Sequence, residues 1–177
     1  MISTDATVLR ASDITEHGVR IEAVEEPEWL VNLPELWSEG DVYKPLSKIR
    51  IDLQVTRVLK EISVIGNISL SIQSPCSRCV EPVKIELNPL ISLVLSPSDK
   101  IKDENEDLEH ETYQGDEIDI SNYLREQIAI YLPQKVVCSD ECKGLCTTCG
   151  KNLNIENCSC EENKIDPRFA ILKDVKI

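Results

Sequence analysis

The sequence predicts an α+β protein, in which an antiparallel β-sheet built as a meander is packed by one main helix from the C-terminal half and stapled by zinc knuckles. Three observations carry this. Apolar residues alternate at a spacing of two through much of residues 48–95, a single helical apolar stripe follows near residues 121–132, and eight cysteines fall in short-spaced pairs. With 177 residues the chain is long enough to bury one core unaided. Its composition divides it into a β-rich part, 1–98, an acidic linker or loop, 99–118, and a helix plus cysteine-rich tail, 119–177, together one composite domain.

The N-terminal segments ATVLRASDI and VRIEAVEE read as candidate strands, and EWLVNLPELW, apolar with Pro34 inside it, as a short helix or covering loop. Trp29 and Trp37 are assigned to the core, because large apolar side chains are mostly buried. In KIRIDLQV, Ile49, Ile51, Leu53 and Val55 share one face, and in ISVIGNISLSI so do Ile62, Val64, Ile68, Leu70 and Ile72. After the turn-like SPCSRCVEP the alternation resumes at Val83, Ile85 and Leu87, followed by LISLVL. Cys76 and Cys79 therefore sit at a hairpin tip.

From Asp99 to Asp119 the chain turns polar and acid-rich, the composition of a solvated linker. SNYLREQIAIYLP then gives Ser121 as N-cap, Leu124, Ile128 and Leu132 as a stripe, and Pro133 as terminator. In IDPRFAILKDVKI, Asp166 and Pro167 open a short tail helix that docks Phe169, Ala170 and Leu172.

The opening MISTDATVLRASDITEHG shows no basic segment followed by an apolar one, and no stretch approaches the ~18 apolar residues of a membrane span. The expectation is a soluble, cytoplasmic protein with no membrane association. Thiols in a reducing compartment are kept for metals or catalysis rather than disulfides. A formal charge of −13 repels nucleic acid phosphates over most of the surface, so no DNA is expected as partner and any RNA is reached indirectly.

The cysteines run Cys76-x2-Cys79, Cys138-x3-Cys142-x3-Cys146-x2-Cys149 and Cys158-x-Cys160. A two-residue gap lets both thiolates of a tight turn converge on one ion while backbone amides offset their charge. All eight are candidate ligands of one or two structural Zn²⁺ ions. The preferred partition gives Cys146, Cys149, Cys158 and Cys160 to a local tail site, and Cys76, Cys79, Cys138 and Cys142 to a long-range site. A competing partition uses Cys142, Cys146, Cys149 and one of Cys158 or Cys160. A thioredoxin-like dithiol belongs on a strand-to-helix turn, and Cys76-x2-Cys79 lies between strands. His17 and His110 accompany no nucleophile or metalloprotease motif and read as solvated surface residues. The chain is expected to be non-catalytic, with no cofactor beyond the metal.

In this order, a C-x2-C hairpin tip, an acidic stretch, the EIDISNYLREQIAIYLP helix, the VCSDECKGLCTTCGKNLN knuckle and a closing DPRFAIL resemble the bacterial YceD family, the large ribosomal RNA subunit accumulation proteins. The resemblance runs over roughly residues 45 to 173. It implies a role in ribosome biogenesis: the synthesis, processing or stability of large-subunit (23S) rRNA. By position, Cys76 and Cys79 match the family's recurrent pair, and the segments Asp119 to Pro133 and Pro167 to Ala170 match its other signatures. Many members lack the full cysteine-rich tail between Cys138 and Cys160, so the tail site reads as an added staple, and zinc rests on spacing alone. Ribosomal proteins or assembly factors of the large subunit are the partners expected of the acidic surface. The competing functions are a redox-sensitive zinc-switch chaperone and an rRNA-processing enzyme.

Overall fold

Alternation at a spacing of two sends successive side chains to opposite faces, and in the computed structural model Ile49, Ile51, Leu53 and Val55 are all buried while Arg50 and Gln54 face outward. The structure describes residues 7–31, 33, 36, 42–98 and 111–160. The chain forms two compact units, Met1–Ser74 with Lys84–Gln134, and Pro75–Val83 with Lys135–Ile177.

The strands are β1 (Val8–Arg10), β2 (Val19–Glu25), β3 (Lys44–Pro45), β4 (Ile49–Val58), β5 (Glu61–Pro75), β6 (Pro82–Leu87), β7 (Leu90–Pro97), β8 (Glu111–Tyr113) and β9 (Glu117–Asp119), followed by helix α1 (Ser121–Tyr131). A 3₁₀ turn, Pro27–Leu30, occupies the start of the segment read as a short helix or loop. The main sheet runs β2-β4-β5-β7-β8, with β3 and β6 also paired to β5. The registers β2–β4, β4–β5, β5–β7 and β3–β5 are antiparallel, whereas β7 and β8 run parallel. The sheet is therefore mixed rather than a pure meander. At 15 residues, β5 is long enough for successive partners: Ile62–Asn67 face β7, and Ile72 and Gln73 face β3.

Gly66 of β5 lies opposite Leu53, where a Cβ would collide with the Asp52 carbonyl oxygen and come within 2.8 Å of the Leu53 Cα. Only glycine permits that approach. Strands β8 and β9 lie in the stretch read from composition as an acidic linker, whose residues 99–110 are outside the described residues. β9 pairs with β1 in a separate two-stranded ladder, Val8 opposite Asp119, and the Asp116 carboxylate beside it accepts from the Ser12 amide at 2.7 Å and the Ser12 hydroxyl at 2.8 Å.

In α1, Leu124 and Ile128 are fully buried in the core cluster with Ile120, as the stripe requires. Leu132 takes φ −62° and ψ 129°, the extended conformation that a following proline imposes. The cap differs from expectation. Ile120 holds the N-cap position and Ser121 is the first helical residue. Asp119 Oδ1 accepts from the Ser121 amide at 2.8 Å, and the Ser121 hydroxyl instead accepts from Arg125. Asp119 supplies the acceptor from two residues upstream, so the helix starts at the serine. Trp29 packs against the core with the Arg125 guanidinium 4.9 Å above its ring; Trp37 and the tail helix near 166–172 lie outside the described residues.

Candidate metal centre

Each of the two C-x2-C turns in the second unit closes through the same pair of backbone hydrogen bonds. In the first, the Cys76 amide donates to Glu81 O at 2.8 Å and the Val80 amide to Cys76 O at 2.9 Å. In the second, the Cys146 amide donates to Lys151 O at 2.8 Å and the Gly150 amide to Cys146 O at 2.9 Å. Both turns need a left-handed residue directly after the second cysteine, Val80 at φ 64° and Gly150 at φ 74°. The sequence displays this requirement only in the second, where glycine takes it without strain.

These turns bring the eight free thiols into two quartets, Cys76 with Cys79, Cys138 and Cys142, and Cys146 with Cys149, Cys158 and Cys160. Within each quartet all Sγ atoms lie within 4.8 Å of one another. In the first, Cys76 and Cys142 stand 3.9 Å apart and Cys79 and Cys138 3.6 Å apart. That is too far for a disulfide at about 2.05 Å. It matches the edge of a tetrahedron of about 3.8 Å that follows from zinc–sulfur bonds of about 2.3 Å. The donor set, four soft thiolates at tetrahedral spacing, suits zinc.

The first quartet is the more enclosed. Cys76, Cys79 and Cys142 are buried, with Val83, Val137 and Leu145 packed against them, and Cys138 is exposed. Arg78 fixes the turn that carries the second pair of ligands, its Nη1 donating to Asp140 O at 2.9 Å and Cys142 O at 3.1 Å. The Cys76 sulfur accepts from the amides of Arg78 and Cys138, each at 3.4 Å. In the second quartet Cys149 is exposed and the other three are half-buried.

The thiols' acidities diverge within each quartet. Burial pushes Cys76 up, but the amides of Arg78, Cys79 and Cys138 outweigh it and bring the thiol to about 6. The Glu81 amide draws Cys79 down, yet burial and its three neighbouring thiols raise it to about 12. In the second quartet the amides of Cys149 and Thr148 bring Cys146 to about 6, while the Cys149 thiol and burial push Cys160 up to about 12. Four crowded thiols cannot all ionise without a compensating cation, a charge that a divalent ion held by the quartet would supply. Burial opposes ionisation of Cys142, and the Asn154 side chain and the Gly144 amide lower its pKa below the usual thiol value.

Arg78, Val80 and Asn154 are the site residues that sequence reasoning missed. Only the C-x2-C-V and C-x2-C-G parallel offered a signal, and for Val80 alone. His17 is exposed and His110 lies outside the described residues. In the first unit, an open groove of about 800 Å³ on the sheet is lined by Lys48, Arg50, Asp52, Ser71 and Glu86 among others. Charged groups there pair locally, Asp52 with Arg20 and Glu86 with Lys84. Among the described residues, no helix is long and apolar enough to cross a membrane.

Comparison with known proteins finds relatives of this chain by sequence. An uncharacterised protein of Mycobacterium leprae is 30% identical over 131 residues, covering 72% of this chain and 58% of its own length. The chloroplastic large ribosomal RNA subunit accumulation protein YCED homolog 1 of Zea mays is 26% identical over 152 residues, 69% of this chain and 52% of that protein. YlbN, an uncharacterised protein of Bacillus subtilis, is 26% identical over 146 residues, 81% and 83% of the two chains. The chain thus spans less than two thirds of the length of the mycobacterial and maize relatives. No solved structure matches it. The family model for the large ribosomal RNA subunit accumulation protein YceD matches residues 64–176, a span that contains all eight cysteines, helix α1 and strands β7 to β9, and the chain belongs to that family.

Proposed function

We propose that this chain is a non-catalytic, cytoplasmic ribosome-biogenesis factor that supports the synthesis, processing or stability of large-subunit (23S) rRNA. Its second unit is proposed to fold around two structural zinc ions, one in each thiol quartet. The observation that carries the reading is the family match across residues 64–176. The metal supplies folding energy rather than reactivity, since four protein thiolates leave no open coordination position. The protein's own residues do the rest: backbone amides and Arg78 orient the thiolates, and Val83, Val137 and Leu145 wall the first quartet. A net charge of −13 favours basic ribosomal proteins or assembly factors over bare RNA as direct contacts.

The test is a deletion strain examined by ribosome profile and rRNA processing pattern, complemented with wild type or with Cys76→Ser/Cys79→Ser. A selective deficit of large subunits, rescued by wild type alone, supports the reading; a normal profile overturns it. Metal analysis of protein purified under reducing conditions should return two zinc ions per chain, and none would remove the structural claim.

A further inference from the structure

Between Cys149 and Cys158, both in the second quartet, the chain folds back over the loop that carries Cys142 of the first. The Leu153 amide donates to Gly144 O at 2.9 Å. The side chain of Asn154 completes the contact. Its Oδ1 accepts from the Lys143 amide at 2.8 Å, and its Nδ2 donates to the Cys142 sulfur at 3.3 Å. These partners fix the orientation of the amide, because Lys143 N–H needs an oxygen and a thiolate needs a donor. Asn154 is held in turn by Asn152, whose Oδ1 accepts from the Asn154 amide at 3.0 Å and from Asn154 Nδ2 at 2.9 Å. Asn152 Nδ2 reaches Glu81 Oε1, beside the first knuckle, at 3.1 Å.

A residue inside the loop closed by one quartet therefore hydrogen-bonds a ligand of the other. Filling the second quartet fixes both ends of that loop, which removes the entropy that otherwise competes with placing Asn154 on the sulfur. A hydrogen bond to a metal-bound thiolate stabilises the ligand in its ionised, coordinating form.

We infer that the two metal sites are energetically coupled through Asn154, so that an ion bound by Cys146, Cys149, Cys158 and Cys160 tightens the site of Cys76, Cys79, Cys138 and Cys142. Asn154 is a positioning residue: it ligates neither metal. Linkage makes the effect reciprocal, so a filled first site tightens the second by the same factor.

This inference rests on the zinc reading above, and the experiment separates the two. Purified full chain is titrated with ¹¹³Cd²⁺ against a competing chelator, and each site is followed by its own cadmium resonance. Replacing Cys158 and Cys160 by serine should weaken the first site about 10-fold or more, the scale of an outer-shell hydrogen bond. Asn154→Asp keeps an oxygen for the Lys143 amide but loses the donor to sulfur; with all eight thiols intact, it should weaken the first site by at least as much. Combining the changes should cost the first site no more than Asn154→Asp alone. If Asn154→Asp binds cadmium in the first site as wild type does, or if the losses simply multiply, the coupling is overturned. Should the double serine variant not fold, Asn154→Asp decides alone through reciprocity, since with the first site filled its second site must also weaken. Absence of cadmium from both sites would instead remove the zinc reading itself.

Discussion

Val80, at φ 64° and 62% exposed, occupies a conformation that a β-branched side chain adopts only under strain, at about 1–2 kcal/mol. Gly150 fills the same place in the second turn at no such cost. Val80→Gly is therefore expected to raise the melting temperature of the metal-loaded protein by a few degrees, the removed strain outweighing glycine's greater chain entropy; an unchanged or lower value would show the valine to be held by contacts. The Asp116 carboxyl titrates below its ordinary value because the Ser12 hydroxyl and then the Ser12 amide donate to it, with Arg10 and Arg57 adding attraction. A depressed folded pKa means a contribution fully present above the unfolded value of about 3.9 and lost as pH falls through the folded one. The Ala11 amide, bonded to Asp116 O at 2.8 Å, should lose exchange protection in that window, below about pH 4, and Asp116→Asn should abolish the pH dependence. Cysteines were legible at this scale because ligand chemistry names the residue type. Asn154 was not, because what an amide touches is settled by tertiary contact.

At the scale of elements, β4, β5, β7 and α1 were readable because each is long enough to show a period and buries one face. Strands β8 and β9 have three residues each, too few for a period, and their apolar members Tyr113 and Ile118 are scattered among acids. The parallel pairing of β7 with β8 left no mark in the local pattern either, since alternation specifies a face and not a direction. Gly66 concerns the sheet as an element: placed between β4 and β7, it lets the strands approach where a Cβ would meet backbone atoms that cannot swing aside. Gly66→Ala should cost about 1–3 kcal/mol, the scale of overpacking, read as a lowered urea midpoint at unchanged slope. A midpoint equal to wild type would show that the sheet relaxes there.

Among the described residues, the first unit has an apolar core of its own, from Leu9 to Ile128, and in the second unit a buried cluster of three cysteines is lined by Val83, Val137 and Leu145. Around these thiols little apolar area is buried, and metal is expected to hold the two turns together. Chelation should abolish hydrogen-exchange protection at the Val80 and Gly150 amides while leaving β4 and α1 protected; protection retained in both turns would show that the second unit holds without metal. Each unit draws on separated stretches of chain, which composition along the sequence does not reveal. Of the two partitions the cysteine spacing allowed, the grouping seen in the structure is the one that joins Cys76 and Cys79 to Cys138 and Cys142.

That discontinuity sets an order of events while the polypeptide is being made. Cys138 follows Cys79 by 59 residues, and at about 5–20 residues per second the first knuckle waits roughly 3–12 s for its remaining ligands. The intervening residues 84–134 belong to the first unit, so the sheet's sequence is complete before the second unit can close. During that interval the chain displays the Cys76–Cys79 dithiol without its partners Cys138 and Cys142, open to thiol-seeking ions or oxidants. Under the zinc reading proposed above, the vulnerable species is thus the nascent chain.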